Sequence, residues 1–202
     1  FEGGWHGGYD ALHKGVRYPF DIPESAGLTE GTLRDTIVLP FNDLEGVEKR
    51  LKNERVASIV IEPVLGAGGG IPAEREFLKG LREFCDENDI LLIFDEVITG
   101  FRLAPGGGQE YYNVIPDITV FGKILGGGFP IGAFCGRRDI MERINNLIYE
   151  RPHYSFHGGT FAANPMSMTA GLATLEILED GKLINRLNTL GEKIREKLRE
   201  IF

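Results

Sequence analysis

Two apolar runs, separated by a stretch of helical periodicity, restrict the fold of this chain more than any other feature. Residues 57–62 read ASIVIE and residues 90–94 read ILLIF. Continuous β-branched and aliphatic runs are typical of strands covered on both faces, as in parallel sheets. Between them, residues 74–88 predict an amphipathic helix, whose apolar face is Phe77, Leu78, Leu81, Phe84 and Cys85. The pattern predicts an α/β fold with a mainly parallel sheet flanked by helices.

The remaining elements continue this alternation of strands and helices. Strands are predicted at residues 36–39, 118–121 and 131–135, and helices at residues 44–52, 138–147, 165–179 and from 183 onward. Parallel sheets bind ligands beyond the carboxyl ends of their strands. Glu62, Asp95 and Lys123 each follow a predicted strand. A functional site is therefore expected at this edge of the sheet.

The composition narrows the classes of function. The chain has 202 residues and a formal net charge of -8, which argues against a nucleic-acid surface because phosphate binding needs clustered Lys and Arg. No apolar run reaches the length of a membrane span, and no secretory signal is visible. Cys85 and Cys135 lie far apart without a CxxC spacing, which predicts neither a disulfide framework nor a metal site. These features indicate a cytoplasmic protein without nucleic-acid or membrane partners.

Both ends of the chain lie inside predicted elements. Residues 1–4 resemble a strand that enters a turn, without an initiator Met. Near the other end an apolar stripe is still in helical period where the chain stops, and it consists of Leu183, Leu187, Leu190, Ile194, Leu198 and Ile201. We therefore expect the chain to be part of a longer protein.

The strand that ends in Asp95-Glu96 allows more than one interpretation. Such an acid holds magnesium in nucleotide hydrolases, which also need a phosphate loop of the form GxxxxGK[ST]. The only place for that loop is around Lys123, where Asp117 stands at the first glycine position and Ile124 at the Ser/Thr position. The pattern fails at both positions, so a nucleotide hydrolase is disfavoured. A strand-terminal acid that caps a loop or faces water is the plainer alternative.

The glycine-rich stretch DITVFGKILGGGFPIGAFCG brings a lysine into the argument. A lysine in a cleft can carry pyridoxal phosphate (PLP) as a Schiff base. PLP also needs an acid for its pyridinium nitrogen, N–H groups and hydroxyls for its phosphate, and gains from an aromatic ring on its face. Lys123, Asp95, Trp5 and the Gly158-Gly159-Thr160 turn offer these groups. Taken singly, each residue is better explained as a solvated, core or turn residue; together they match one cofactor.

At these motifs the chain resembles the class III (ω-type) PLP-dependent aminotransferases of fold type I. Within that family it is most similar to the glutamate-1-semialdehyde 2,1-aminomutases and their aminotransferase relatives. The segments that carry the resemblance are FEGGWHGG, VIEPVLGAGGGIP, LLIFDEVITGFR, PDITVFGKILGGGFPIGAF and HGGTFAANPMSMTAGLATLE. The resemblance implies a large PLP-binding domain over residues 1–181, lacking its N-terminal part. Residues 182–202 would begin the helix that leads to a small C-terminal domain.

The resemblance also implies roles for single residues. Lys123 would bind the cofactor and later move a proton between the substrate carbon and the cofactor. Asp95 would hold the pyridine nitrogen, while Trp5 would stack on one ring face and Val97 would pack on the other. The glycines around Lys123 would let the backbone turn tightly beside the cofactor.

Further implied roles concern the substrate and a partner subunit. Glu62 would lie on the substrate side of the cofactor. Gly159 and Thr160 would bind the phosphate of a neighbouring subunit's cofactor, which implies a homodimer. For His6, next to the stacking residue, a structural hydrogen bond is expected.

The implied reaction is PLP-dependent amino-group transfer between a small-molecule amino donor and acceptor, or within one molecule as in the aminomutase. Three alternatives stay open. The protein could act on ω-amines or β-amino acids, it could be an amino-acid racemase, or it could retain only the fold without activity.

Overall fold

The computed structural model describes residues 1–202, and contacts within the chain divide it into two compact units. The first unit comprises Phe1–Asp95 and Tyr112–Ile118. The second comprises Glu96–Tyr111 and Thr119–Phe202. This division does not test the predicted domain boundary after residue 181, which stays a prediction.

The amino-terminal half of the chain contains the predicted β–α–β unit. The elements of this half are a 3-10 turn (Asp10–Leu12), α1 (Glu30–Arg34), α2 (Leu44–Leu51), β1 (Ser58–Ile61), β2 (Val64–Leu65), β3 (Ile71–Pro72), α3 (Arg75–Glu87) and β4 (Leu91–Asp95). The predicted unit consists of β1, α3 and β4. Strands β1 and β4 pair in parallel, with Ile59 opposite Leu92. The core lies where α3 covers these strands, because Leu78, Leu81 and Leu92 are fully buried.

The remaining elements extend the sheet and add helices. They are α4 (Gly107–Tyr112), β5 (Ile118–Phe121), a 3-10 helix (Lys123–Gly126), β6 (Ala133–Gly136), α5 (Arg138–Met141), a 3-10 turn (Glu142–Ile144), α6 (Pro165–Leu178) and α7 (Lys182–Ile201). The four-stranded sheet has the order β1-β4-β5-β6. The predicted α/β fold with a mainly parallel sheet is confirmed. No helix is both long and apolar enough to cross a membrane.

Two predicted elements are wrong or too long. Residues 36–39 form no strand, although Leu39 accepts a backbone hydrogen bond from Glu2. The helix predicted over residues 138–147 covers only Arg138–Met141, and a 3-10 turn follows it to Ile144. Asn145 stops it, because its side chain accepts a hydrogen bond from the backbone of Leu147 and so favours a turn.

Helix α4 was not predicted from the sequence. Its segment reads GGQEYY, and glycine is a poor helix former. The helix forms because the buried carboxylate of Glu96 accepts hydrogen bonds from the backbone N–H groups of Gly108 and Gln109 in its first turn. A long-range contact therefore overrides the local preference.

Candidate active site

The carboxyl end of β4 presents a buried acid. Asp95 is 9% exposed, and its Oδ2 lies 2.8 Å from Nδ1 of His6. A carboxylate only accepts hydrogen bonds, so Nδ1–H of the imidazole is the donor. The other ring nitrogen of His6, Nε2, is buried and has no hydrogen-bond partner. The contact expected for His6 is present, and it fixes the orientation of the Asp95 carboxylate.

A second buried acid follows β1. Glu62 is 4% exposed, and its two oxygens accept separate backbone hydrogen bonds. Oε1 accepts from the N–H of Trp5 at 2.8 Å, and Oε2 accepts from the N–H of Gly66 at 3.0 Å. The first unit therefore brings Trp5, His6, Glu62 and Asp95 into one connected group, since Trp5 and His6 are neighbours in the chain.

The indole ring of Trp5 packs against a histidine and is partly exposed. Its edge meets the ring of His13, with centroids 5.3 Å apart and planes at 67°. Trp5 is 42% exposed, and several other large apolar side chains of this chain are also exposed. Part of its ring is therefore open to a flat ligand.

Lys123 lies in the turn that follows β5. It is exposed, and its backbone has φ 44°, in the left-handed region that non-glycine residues rarely adopt. It begins the 3-10 helix Lys123–Gly126. A Cβ placed on Gly122 would lie 3.3 Å from Cγ1 of Val97, so Val97 packs directly against the turn that carries Lys123.

The glycines after Lys123 have a packing role that the sequence did not reveal. Gly127 has φ 57°, and a Cβ there would lie 2.8 Å from the carbonyl oxygen of Ala170 in α6 and would collide with the Thr174 hydroxyl. A Cβ on Gly171 of α6 would lie 2.8 Å from the carbonyl oxygen of Leu125. The lysine turn and α6 thus approach backbone to backbone, which only glycine allows.

The sequence predicted no role for Glu96 beyond its place in the Asp95-Glu96 pair at the end of a strand. Glu96 is 1% exposed, and its carboxylate accepts hydrogen bonds from the Thr99 hydroxyl at 3.0 Å and from the backbone N–H of Gln109 at 3.2 Å. These hydrogen bonds join the turn that contains Val97 to the first turn of α4. The Asp-Glu pair at a strand end was the available signal, because two buried acids in succession need partners.

Gly159 and Thr160 lie in the irregular segment before α6 and are exposed. A Cβ on Gly159 would meet nothing within 4 Å, so this backbone faces open space. Helix α6 begins at Pro165, and the preceding Asn164 caps it, because its side chain accepts a hydrogen bond from the N–H of Ser167 at 3.0 Å. Their predicted role towards a partner's cofactor stays a prediction.

Comparison with known proteins identifies the class. A family model described as "Aminotransferase class-III" matches residues 13–202, which is most of the chain. The chain belongs to the class-III aminotransferases.

Its curated relatives include several aminomutases. Glutamate-1-semialdehyde 2,1-aminomutase of Archaeoglobus fulgidus is 43% identical over 100% of this chain and 48% of its own length. The protein of the same name from Methanocaldococcus jannaschii is 48% identical over 89% of this chain and 42% of its own length. The chain thus spans about half the length of the curated relatives that it matches.

Solved structures agree with this assignment. An omega-transaminase from Sphaerobacter thermophilus superposes with a TM-score of 0.90 at 37% identity, over 99% of this chain and 47% of that protein. A structure described as a transaminase with PLP bound has a TM-score of 0.85 at 36% identity, with the same coverage. The fold is therefore that of about half of an aminotransferase.

Proposed function

We propose that this chain forms the PLP-binding part of an enzyme that moves amino groups between small molecules. The observation that carries the proposal is the buried Asp95 carboxylate, which His6 holds at the carboxyl end of β4. PLP needs such an acid beside its pyridine nitrogen. The family to which the chain belongs depends on PLP.

The other residues also fit the cofactor. Lys123 offers an exposed amine on a turn fixed by packing against Val97 and α6. Trp5 offers a partly open aromatic ring. Gly159 and Thr160 offer a backbone and a hydroxyl that face open space. Each chemical requirement of PLP has a residue suited to it.

The residues divide the work as follows. When bound, PLP supplies an electron sink for the bond that breaks at the substrate carbon. Asp95 would hold the ring nitrogen of the cofactor in its protonated form, and His6 would fix the direction of the Asp95 carboxylate. The amine of Lys123 would move a proton between the substrate carbon and the cofactor. Trp5 and Val97 would cover the two ring faces and exclude water.

Gly159 and Thr160 extend the proposal to a second copy. They would bind the phosphate of a partner subunit's cofactor, so that the active unit is a homodimer. The exposed turn is consistent with a role outside its own subunit. We place the protein in the cytoplasm. Cys85 and Cys135 are both free thiols, and the cytoplasm keeps thiols reduced.

The proposed reaction is of the glutamate-1-semialdehyde 2,1-aminomutase type, because relatives of that name reach 43–48% identity. Transamination between two substrates is the second candidate, favoured by the likeness to the omega-transaminase structure. Conversion of one substrate without any keto acid would support the aminomutase. A strict need for a keto-acid acceptor would support the aminotransferase.

The decisive experiment is absorption spectroscopy of the full-length protein with PLP, followed by borohydride reduction and peptide mapping. We expect a visible imine band and a reduced adduct on the Lys123 peptide. Lys123→Ala should abolish both, while Lys79→Ala, which alters an exposed lysine on α3, should leave both intact. No imine band in the full-length protein, or an adduct on another lysine, would overturn the proposal.

A further inference from the structure

Two loops of the first unit meet at one buried carboxylate. One loop contains Trp5, and the other is the glycine-rich loop of residues 66–70, which follows β2. Glu62 accepts a backbone hydrogen bond from each loop. Its Oε1 accepts from the N–H of Trp5, and its Oε2 accepts from the N–H of Gly66. Because the acid directly follows β1, both loops are tied to a strand of the parallel sheet.

The two loops also approach each other through glycine. A Cβ on Gly68 would lie 3.1 Å from the carbonyl oxygen of Gly3, and a Cβ on Gly3 would lie 3.2 Å from Cδ1 of Leu65. Gly3 has φ 80°, which disfavours any side chain there. The backbones of the two loops are therefore in close contact.

An ionised glutamate suits this position for a chemical reason. It has only acceptors, so both oxygens satisfy a backbone N–H without rearrangement. Hydrogen bonds to a charged acceptor are shorter and stronger than neutral ones. A glutamine of the same shape would turn its NH2 group towards one of the two N–H donors and lose that bond. The geometry thus depends on the carboxylate itself.

We propose that Glu62 is a positioning residue that sets the place of the Trp5 ring by holding its backbone to β1 and to the glycine loop. This inference rests on the proposed function in one respect, since Trp5 is the residue proposed to stack on the cofactor. Both oxygens of Glu62 point to backbone N–H groups, and that use differs from the substrate-side role implied by the resemblance.

The chain contains a single tryptophan, so its fluorescence reports on Trp5 alone. We expect Glu62→Gln, without any ligand, to shift the emission maximum and to make Trp5 more accessible to acrylamide. Gly68→Ala should shift the emission in the same way with Glu62 intact, because the added Cβ presses on the Gly3 backbone. In the full-length protein, PLP affinity should fall by roughly tenfold in Glu62→Gln.

Two controls separate positioning from general loosening. Glu83→Gln makes the same chemical change at an exposed site on α3, and should leave Trp5 emission unchanged. Leu81→Ala weakens the core of the same unit, and should lower stability without shifting emission below its unfolding transition. Unchanged emission in folded Glu62→Gln, or an equal shift in Leu81→Ala, would overturn the inference. Because emission is read without cofactor, failure of PLP binding alone would count against the proposed function and not against Glu62.

Discussion

The hydrogen bond between His6 and Asp95 joins residues 89 positions apart in the chain. It directs one carboxylate oxygen towards the imidazole and so restricts the rotation of the acid. A freely rotating carboxylate would point towards the ring nitrogen of the proposed cofactor only part of the time. His6 therefore acts through Asp95, and its contribution can be separated from that of the acid.

Replacement of His6 by alanine should lower kcat of the full-length enzyme by about ten- to a hundredfold, since a hydrogen bond to a charged group is lost. The measurement is steady-state kinetics together with the visible spectrum of the cofactor. His153→Ala, at an exposed histidine outside the site, is the matched control and should retain full activity. Equal kinetics in both variants would remove His6 from the site.

The two cysteines should differ sharply in reactivity. Burial raises the pKa of the Cys85 thiol to about 12, with a smaller contribution from nearby Asp117 and Asp86. Partial burial also raises the pKa of Cys135, with Glu96 adding to the effect, but this residue is exposed. At pH 8 iodoacetamide should therefore modify Cys135 well before Cys85, and denaturant should abolish the difference. Peptide mass mapping checks this, and faster labelling of Cys85 would contradict the described core.

At the scale of elements, the turn after β5 and helix α6 form the support for Lys123. Gly127→Ala places a methyl group against the Ala170 carbonyl and forces alanine into φ 57°. We expect a loss of about 2–4 kcal/mol in the free energy of unfolding, from overpacking and left-handed strain. Urea titration measures it, and the imine band of the full-length protein should weaken in parallel.

Gly132 is the matched control for this change. It lies in the same glycine-rich stretch, but its added Cβ meets nothing within 4 Å and its φ is not positive. Gly132→Ala should alter the free energy of unfolding by no more than about 0.5 kcal/mol. Similar losses at both glycines would show that the contact with α6 has no special weight.

The same elements show what the sequence could predict. Apolar runs mark β1, β4 and β5, so the positions of the acids and the lysine at their ends follow from local pattern alone. The close contact between Gly127 and α6 was hidden, because its partners lie more than 40 residues further along the chain. The hydrogen bonds of Glu96 to α4 were hidden too, since GGQEYY carries no helical period. Strand ends can be read from neighbouring residues, whereas pairs of loops require the folded chain.

At the scale of the whole molecule, the chain leaves its first unit after Asp95 and returns for Tyr112–Ile118. Asp117 secures this return. Its Oδ2 accepts from the N–H of Leu92 in β4 at 2.8 Å and from the guanidinium of Arg82 in α3 at 2.8 Å. The carboxylate thus joins the returning segment to a strand and a helix of the same unit.

Removal of this carboxylate should be costly. Asp117→Ala leaves the largely buried Arg82 without its inner partner and the buried N–H of Leu92 without an acceptor. Breaking a buried pair from one side typically costs about 3–5 kcal/mol. We expect a loss of that size in the free energy of unfolding, read by urea denaturation.

A second partner of Arg82 provides the control for Asp117→Ala. Asp86 also binds Arg82, at 2.7 Å, but its side chain is 65% exposed. Because exposed pairs within a helix contribute about 0–1 kcal/mol, Asp86→Ala should change stability little. A loss at Asp86 as large as that at Asp117 would mean that the charge of Arg82, and not the return of residues 112–118, limits the stability of the first unit.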